Sequence, residues 1–157
     1  MKKIFSLLLC AQLCGTISAD KLPVKQIKWA GPYTTQATIK TDEKDVYGKD
    51  FDENAGLRDG ISPMLLKQSQ QTQESDSLFT FMGVDKKSSV YLAGFHFENT
   101  HYAQCNVKVT GKQQHFVYVD GKMGGQQNLM PGRHEVVVKV VCRPGENDTL
   151  SLALDTK

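Results

Sequence analysis

Strict alternation of side-chain character after residue 88 constrains the fold of this chain more than any other feature. Residues 104–110 (QCNVKVT) place Cys105, Val107 and Val109 on one face and polar residues on the other. Residues 133–142 (RHEVVVKVVC) are the longest β-branched run, and residues 89–98 (SVYLAGFHFE) alternate between two largely apolar faces. A period of two residues is typical of β-strands, so the second half of the chain is predicted to consist of strands.

Turn residues separate these predicted strands at short intervals. Residues 115–119 lead into Asp120-Gly121, a two-residue hairpin signal, because Gly accepts a positive φ without steric cost. Pro131-Gly132 marks a second turn, and residues 143–148 form a loop before a closing strand at 149–154. Many short strands with little helix predict an all-β fold, an antiparallel two-sheet β-sandwich. A jelly-roll, galactose-binding-like arrangement is favoured, with an immunoglobulin-like topology as the alternative.

The first half of the chain is less regular. Residues 24–29 and 36–41 are predicted strands separated by Gly31-Pro32, and residues 78–82 are a further strand. A short helix is predicted over residues 64–71, because Pro63 is tolerated in the first turn of a helix. The polar stretch at 42–60 and the Gln-rich stretch at 69–77 are predicted loops, so residues 20–157 are interpreted as a single domain with an irregular part at 42–77.

The first 19 residues (MKKIFSLLLCAQLCGTISA) have the layout of a secretory signal peptide. Lys2 and Lys3 precede an apolar stretch that ends in a small residue, Ala19. A lipoprotein signal that uses Cys10 or Cys14 is an alternative, although neither cysteine follows the usual small residues. The leader predicts an exported chain, periplasmic or extracellular, with no membrane span in the mature part.

The length and the charge balance exclude some function classes. A chain of 157 residues fits one domain, and its formal net charge is only +2. Removal of the leader with its two lysines leaves equal numbers of basic and acidic residues. Nucleic acid is therefore not an expected partner, because proteins that bind it usually carry a concentrated basic excess.

Two cysteines, Cys105 and Cys142, remain after the leader. Their strand parity, shared with neighbouring valines, predicts that both thiols point into the same apolar layer. A disulfide between them is one reading, since exported proteins form disulfides. Two inert buried thiols are the other reading, because a buried Cys behaves as a small hydrophobic residue.

The sequence contains none of the catalytic or metal-binding motifs considered below. The chain has no G-x-S-x-G turn, and no Gly-Lys pair lies in a phosphate-binding loop. The four histidines (His96, His101, His115 and His134) lack zinc-ligand spacing and are interpreted as surface residues. The acidic residues at 42–53 alternate with lysines, which is typical of a solvated loop; calcium is the alternative. No catalytic residue, metal or cofactor is predicted.

Aromatic residues near turns are the candidate binding residues. Trp29, Tyr47 and Tyr102 lie close to predicted turns or strand ends, where an exposed ring can stack on a sugar. In a sandwich of this size most aromatic residues belong to the core, so core packing is the competing interpretation, above all for Trp29.

Four segments together carry a resemblance to a known family. They are residues 25–33 (KQIKWAGPY), 91–100 (YLAGFHFENT), 118–122 (YVDGK) and 129–134 (LMPGRH). This chain resembles the N-terminal β-sandwich segment of exported bacterial serine peptidases of the prolyl oligopeptidase family. The sequence of hairpin, Pro-Gly turn and valine-rich strand is also similar to sandwich modules attached to glycoside hydrolases. In the peptidase family the catalytic residues lie in a separate hydrolase domain, so the resemblance transfers none of them to this chain.

The sequence therefore predicts an exported, non-catalytic accessory or interaction domain. The expected partner is a catalytic domain or another exported protein. The alternative is a carbohydrate-binding module of a secreted glycan-degrading system, in which an exposed aromatic residue binds a glycan.

Overall fold

The computed structural model describes residues 20–22, 24–34, 59–69, 71–74 and 77–157. Within these ranges it contains eleven strands and one short 3-10 helix at Pro63–Gln68. The strands are β1 (Asp20–Leu22), β2 (Gln26–Thr34), β3 (Gln71–Glu74), β4 (Leu78–Phe81), β5 (Ser89–Asn99), β6 (Ala103–Thr110), β7 (Gln114–Val119), β8 (Lys122–Met123), β9 (Gln126–Leu129), β10 (Gly132–Cys142) and β11 (Asp148–Thr156). The signal peptide predicted at residues 1–19 lies outside the described residues.

The strands form two antiparallel sheets. Sheet A has the order β1-β11-β6-β9, and β4 also pairs with β11. β4 pairs with residues 148–151 of β11, whereas β1 pairs with residues 154–156. Sheet B has the order β3-β2-β5-β10-β7-β8, and its central ladder pairs all eleven residues of β5 with β10.

The two sheets pack face to face around one apolar layer, which confirms the predicted all-β sandwich. Sheet B contributes alternate residues of β5 and β10, such as Phe95 and Val138, and sheet A contributes Leu150, Leu152 and Leu154. All five side chains are buried. The period-two pattern of the sequence therefore predicted correctly which face of these strands points inward.

Most connections cross from one sheet to the other. From β4 to β7 the strands alternate between the sheets, and the chain crosses again at β9, β10 and β11. The immunoglobulin-like alternative differs, because consecutive strands such as D and E, or F and G, are neighbours within one of its sheets.

The hairpin and turn predictions in the second half are confirmed. Tyr118 pairs with Met123 and Val119 with Lys122, so Asp120 and Gly121 form a two-residue loop. Both loop residues have positive φ, 50° and 79°, as a type I′ turn requires.

Three predictions in the first half need correction. Gly31-Pro32 does not separate two strands: the peptide bond is cis, and β2 continues through it with a register shift against β5. The Gln-rich stretch contains strand β3, because its backbone pairs with β2 although its side chains are polar. The helix after Pro63 is a 3-10 helix that ends at Gln68. The strand predicted at 36–41 and most of the loop at 42–60 lie outside the described residues.

The outer face of sheet B carries a second apolar cluster, which the 3-10 helix partly covers. The cluster contains buried residues of four neighbouring strands and of the helix: Ala30, Leu66, Val90, Leu92, Tyr118, Val137 and Val141. Ser62 caps the helix by accepting a hydrogen bond from Met64 N at 3.3 Å, and Ser69 Oγ donates to the carbonyl of Trp29. We call this part of the outer face the covered half.

In the part of the chain that the structure describes, no helix combines the length and the apolar character that crossing a bilayer requires.

Candidate functional site

The rest of the outer face of sheet B is polar and carries no covering helix among the described residues. Strand pairing places Lys28 of β2 beside Gly94 of β5, and His96 of β5 beside Glu135 of β10. Two residues further along each strand, Glu98 of β5 lies opposite Arg133 of β10. These outward side chains on three neighbouring strands define what we call the open half.

Two grooves meet on the open half. The first has a volume of about 710 Å³ and is bounded by the helix residues Met64 and Lys67 and by the Asp120-Gly121 turn. The second has a volume of about 670 Å³ and lies between Gln26 of β2 and the stretch of β5 from residue 94 to 98. Lys28, His96 and Arg133 line both grooves, so the two form one continuous depression across the sheet.

Four cations around this depression have no ion pair or hydrogen bond from their side chains within the described residues. They are Lys25, Lys28, Lys67 and Arg133. Three carboxylates line the depression, and two of them contact histidine rings. Glu135 Oε1 lies 3.6 Å from Nε2 of His96, and Asp120 Oδ2 lies 2.8 Å from Nδ1 of His134. Glu98 is the third of these acids, and Glu74 of β3 lies beside Gln26 on the same face, so four cations without a partner share the depression with acidic side chains.

Strands β2 and β5 part at the second groove. Their pairing runs from Thr34↔Ser89 to Lys28↔Gly94 and is not continued toward Gln26. Beyond Gly94, β5 pairs only with β10 among the described strands. A gap therefore opens within sheet B, between the beginning of β2 and the second half of β5.

His134 and Asp120 join two turns at the edge of the first groove. His134 Nδ1 donates to the Asp120 carboxylate, and its Nε2 donates to the carbonyl of Met130, both at 2.8 Å. Asp120 also accepts a hydrogen bond from the backbone N–H of Glu135 at 3.0 Å. Because both ring nitrogens face acceptors, the arrangement favours the doubly protonated imidazolium.

The pKa shifts of this pair follow from the same contacts. Burial by itself would lower the pKa of His134, but the bonds to Asp120 and to the Met130 carbonyl raise it above the ordinary 6.5. Burial by itself would raise the pKa of Asp120, but the Glu135 N–H and His134 lower it below 3.8. An imidazole with both nitrogens engaged in this way is poorly suited to act as a general base, so we interpret the pair as a tie between turns.

Within the described ranges, the other histidines do not form a catalytic pair either. His115 Nδ1 lies 3.1 Å from the carbonyl of Gln113, and His96 faces Glu135. Among the described residues, His101 is the histidine that contacts a hydroxyl group, that of Thr100 in the same exposed turn. No group of three or more His, Cys, Asp or Glu side chains in the described ranges is arranged to hold a metal ion.

The three candidate aromatic residues have different positions. Trp29 is half-buried and packs against Phe79 and Tyr91, with ring centroids 6.2 and 6.1 Å away. Tyr102 is 61% exposed in the turn between β5 and β6. Tyr47 lies outside the described residues. Trp29 therefore belongs to the interior, whereas Tyr102 presents an accessible ring that lines neither groove.

The two cysteines are free thiols in the same apolar layer but at different ends of it. Cys105 pairs with Thr156 at one end of β11, whereas Cys142 precedes the loop that leads into Asp148 at the other end. Eight strand residues separate these ends, which is about 26 Å at 3.3 Å per residue. A disulfide needs Cα atoms within about 7 Å, so the disulfide reading does not apply to this structure. Burial raises the pKa of the Cys142 thiol to about 12.

Sequence reasoning missed Lys28, Lys67 and Arg133 as candidate site residues. The sequence pattern identifies His96 only as a surface histidine. The available signal was the change along one face of β5, from Val90 and Leu92 to His96 and Glu98. The pairing of β2, β5 and β10, which brings the cations together, cannot be read from the spacing of these residues.

Comparison with known proteins gives no relative: no family model, no curated protein and no solved structure matches this chain.

Proposed function

We propose that this chain is an exported, non-catalytic accessory domain that binds a partner through the open half of sheet B. The observation that supports this proposal best is the continuous depression formed by the two grooves. It combines a concave surface with four cations that have no partner in the described part of the chain. A partner that supplies negative charge would gain these contacts with little loss of existing ones.

The resemblance to the N-terminal segment of exported peptidases agrees with this role. In such an arrangement the sandwich contacts a catalytic domain or another exported protein and performs no chemistry itself. Export follows from the leader, and its test is the mass of the secreted protein. Cleavage after Ala19 gives a mature chain that starts at Asp20, whereas a lipidated cysteine gives a longer and heavier product.

In vivo photo-crosslinking tests the binding surface. The crosslinking residue p-benzoylphenylalanine replaces the exposed Gln26 in the second groove, and a matched control replaces the exposed Ser151 on the outer face of sheet A. We expect an adduct with one exported protein at Gln26 and none at Ser151. Equal adducts at both positions, or none at Gln26, would contradict the proposal. Peptidase activity of the purified chain would contradict the proposal that the domain is non-catalytic.

Tyr102 supports the second candidate, carbohydrate binding. Its exposed ring can stack on a sugar in the way an aromatic platform does. Affinity-gel retardation on neutral and acidic polysaccharides tests this function, with Tyr102→Ala as the variant and Tyr33→Ala as the control. Retardation that disappears only in the Tyr102 variant would favour a glycan-binding module over a protein-binding one.

A further inference from the structure

The gap between β2 and β5 exposes a sheet edge inside sheet B. Residues 95–99 of β5 pair with β10 on one side and with no described strand on the other. In an antiparallel strand, alternate residues direct their N–H and C=O groups to the same side. The turn and loop hydrogen bonds of the described chain use none of these groups on residues 95–98. Within this stretch, about 16 Å long, the residues whose main-chain groups face away from β10 therefore offer those groups to the gap.

The groove beside this edge has the shape and the charge for an extended chain. It follows residues 94–98 of β5, and Lys25, Gln26 and Thr72 form its other side. Lys25, Lys28 and Arg133 line it without an ion pair among the described residues, and its acids are Glu98, opposite Arg133, and Glu74, beside Gln26. A strand lying here would direct every second side chain toward these cations. Acidic residues at those positions would complement them.

We propose that the partner inserts an extended acidic segment into this gap and pairs with residues 95–99 of β5. The inference rests on the proposed function and specifies how the partner is held. Strand addition at an exposed edge takes its affinity from main-chain hydrogen bonds and its specificity from the alternating side chains. The exposed edge of β5 supplies the main-chain hydrogen bonds, and the three cations supply the specificity for acidic side chains.

Two other occupants fit these observations less well. A glycan has no repeating N–H and C=O ladder in register with a strand, so it would leave the main-chain groups of β5 without partners. A second copy of this chain that paired through the same edge would bring two sets of Lys28 and Arg133 together. Like charges on facing strands destabilise their pairing.

A peptide titration tests the inference on the chain purified after export. The probe is a fluorescent twelve-residue peptide that alternates Glu with Thr, and fluorescence anisotropy measures its binding. A second peptide has the same sequence with N-methyl groups on alternate residues, which removes main-chain donors and keeps the charge. We expect the first peptide to bind and N-methylation to weaken binding at least tenfold. Equal affinity of the two peptides would overturn strand addition.

Substitutions in the groove provide the second arm. Lys28→Glu with Arg133→Glu should weaken binding of the acidic peptide at least tenfold, while Lys87→Glu with Arg143→Glu, both in exposed loops, should change it less than twofold. Thermal denaturation of both doubles verifies that they fold. Hydrogen exchange should slow at alternate amides within residues 95–99 when peptide is bound. Unchanged exchange there would overturn the inference.

Polygalacturonate separates this inference from the proposed function. If it binds through Lys28 and Arg133 and the peptide does not, the strand-addition inference fails. If neither probe binds but photo-crosslinking from Gln26 still yields a specific partner, strand addition by an acidic segment fails and the binding surface remains. Absence of a specific crosslink from position 26 would contradict the proposed function itself.

Discussion

The two halves of the outer face of sheet B lie on the same strands but have opposite surface character. On β5, Leu92 is fully buried in the same cluster as Leu66, whereas His96, four residues later on the same face, has a side chain that is 41% exposed. On β10, buried Val137 and exposed Arg133 repeat this contrast. The change occurs at Gly94, over which Leu66 packs. One face of a sheet can thus serve as core at one end and as a candidate binding surface at the other.

Paired substitutions on β5 test this contrast with the largest expected effect. Leu92→Ala should reduce the free energy of unfolding by about 3 kcal/mol, because it leaves a cavity in the covered half. His96→Ala should reduce it by less than about 1 kcal/mol, because it removes only a partly exposed contact with Glu135, at 3.6 Å. Urea denaturation of both variants measures the difference. Similar losses in the two would show that the open half is also a structural layer.

Gly94 tests the border between the halves. A Cβ at this position would clash with Leu66 and lie 2.6 Å from the carbonyl oxygen of Val136, which belongs to the central ladder. Gly94→Ala should therefore destabilise the fold by about 2 kcal/mol. Gly60→Ala is the control, because a Cβ there meets nothing within 4 Å. A neutral Gly94→Ala, measured by thermal denaturation, would mean that the helix can move away from the sheet.

The His134–Asp120 tie predicts a smaller effect that depends on pH. Because the pKa of His134 is raised in the folded state, its contribution is complete below the unfolded value of 6.5 and is lost as the pH rises through the folded value. Asp120 has a lowered pKa, so its contribution is present above 3.8 and is lost as the pH falls through the folded value. The tie is therefore strongest between these two pH values.

His134→Gln should cost about 1 kcal/mol at pH 6 and less at pH 9, measured as the shift of the urea midpoint. His101→Gln, in an exposed turn, is the control and should show no such dependence. A loss for His134→Gln that stays constant from pH 6 to pH 9 would show that the charge of the imidazolium is not needed.

Arg133 tests the open half with the smallest expected effect on stability. Because its side chain is exposed and has no ion pair among the described residues, Arg133→Gln should change the free energy of unfolding by less than about 0.5 kcal/mol. Differential scanning calorimetry of Arg133→Gln, with Arg143→Gln as the control, measures this change in the free energy of unfolding. A loss above about 1 kcal/mol would show that Arg133 has a structural role and would contradict its assignment as an available cation of the open half.

The sequence predicted the sandwich well wherever one face of a strand is buried. The alternation in β6, β10 and β11 follows from burial of every second residue, and it assigned Cys105 and Cys142 to the same layer. Parity gives the face of a strand but not the position along it, so it did not show that the two thiols lie at opposite ends. β3 was missed because its polar side chains stand on an edge, where only the backbone pairing defines a strand.

The candidate site was harder to predict because it depends on strand order. Lys28 and Arg133 are more than a hundred positions apart in the sequence. They line the same grooves because β5 pairs with both β2 and β10. Neither residue belongs to a motif, and each alone has the pattern of an ordinary surface cation. The gap between β2 and β5 has no local signal at all.

Strand β11 holds sheet A together, and this has a consequence for when the protein can fold. It pairs with β1 and β4 along one edge and with β6 along the other, and it follows all of them in the chain. While β11 is still being synthesised, β1 and β4 have no neighbour in the described sheet to hold them. Sheet A can therefore close only after residues 148–156 are available, so β1 and β4 wait for a partner that lies far along the chain.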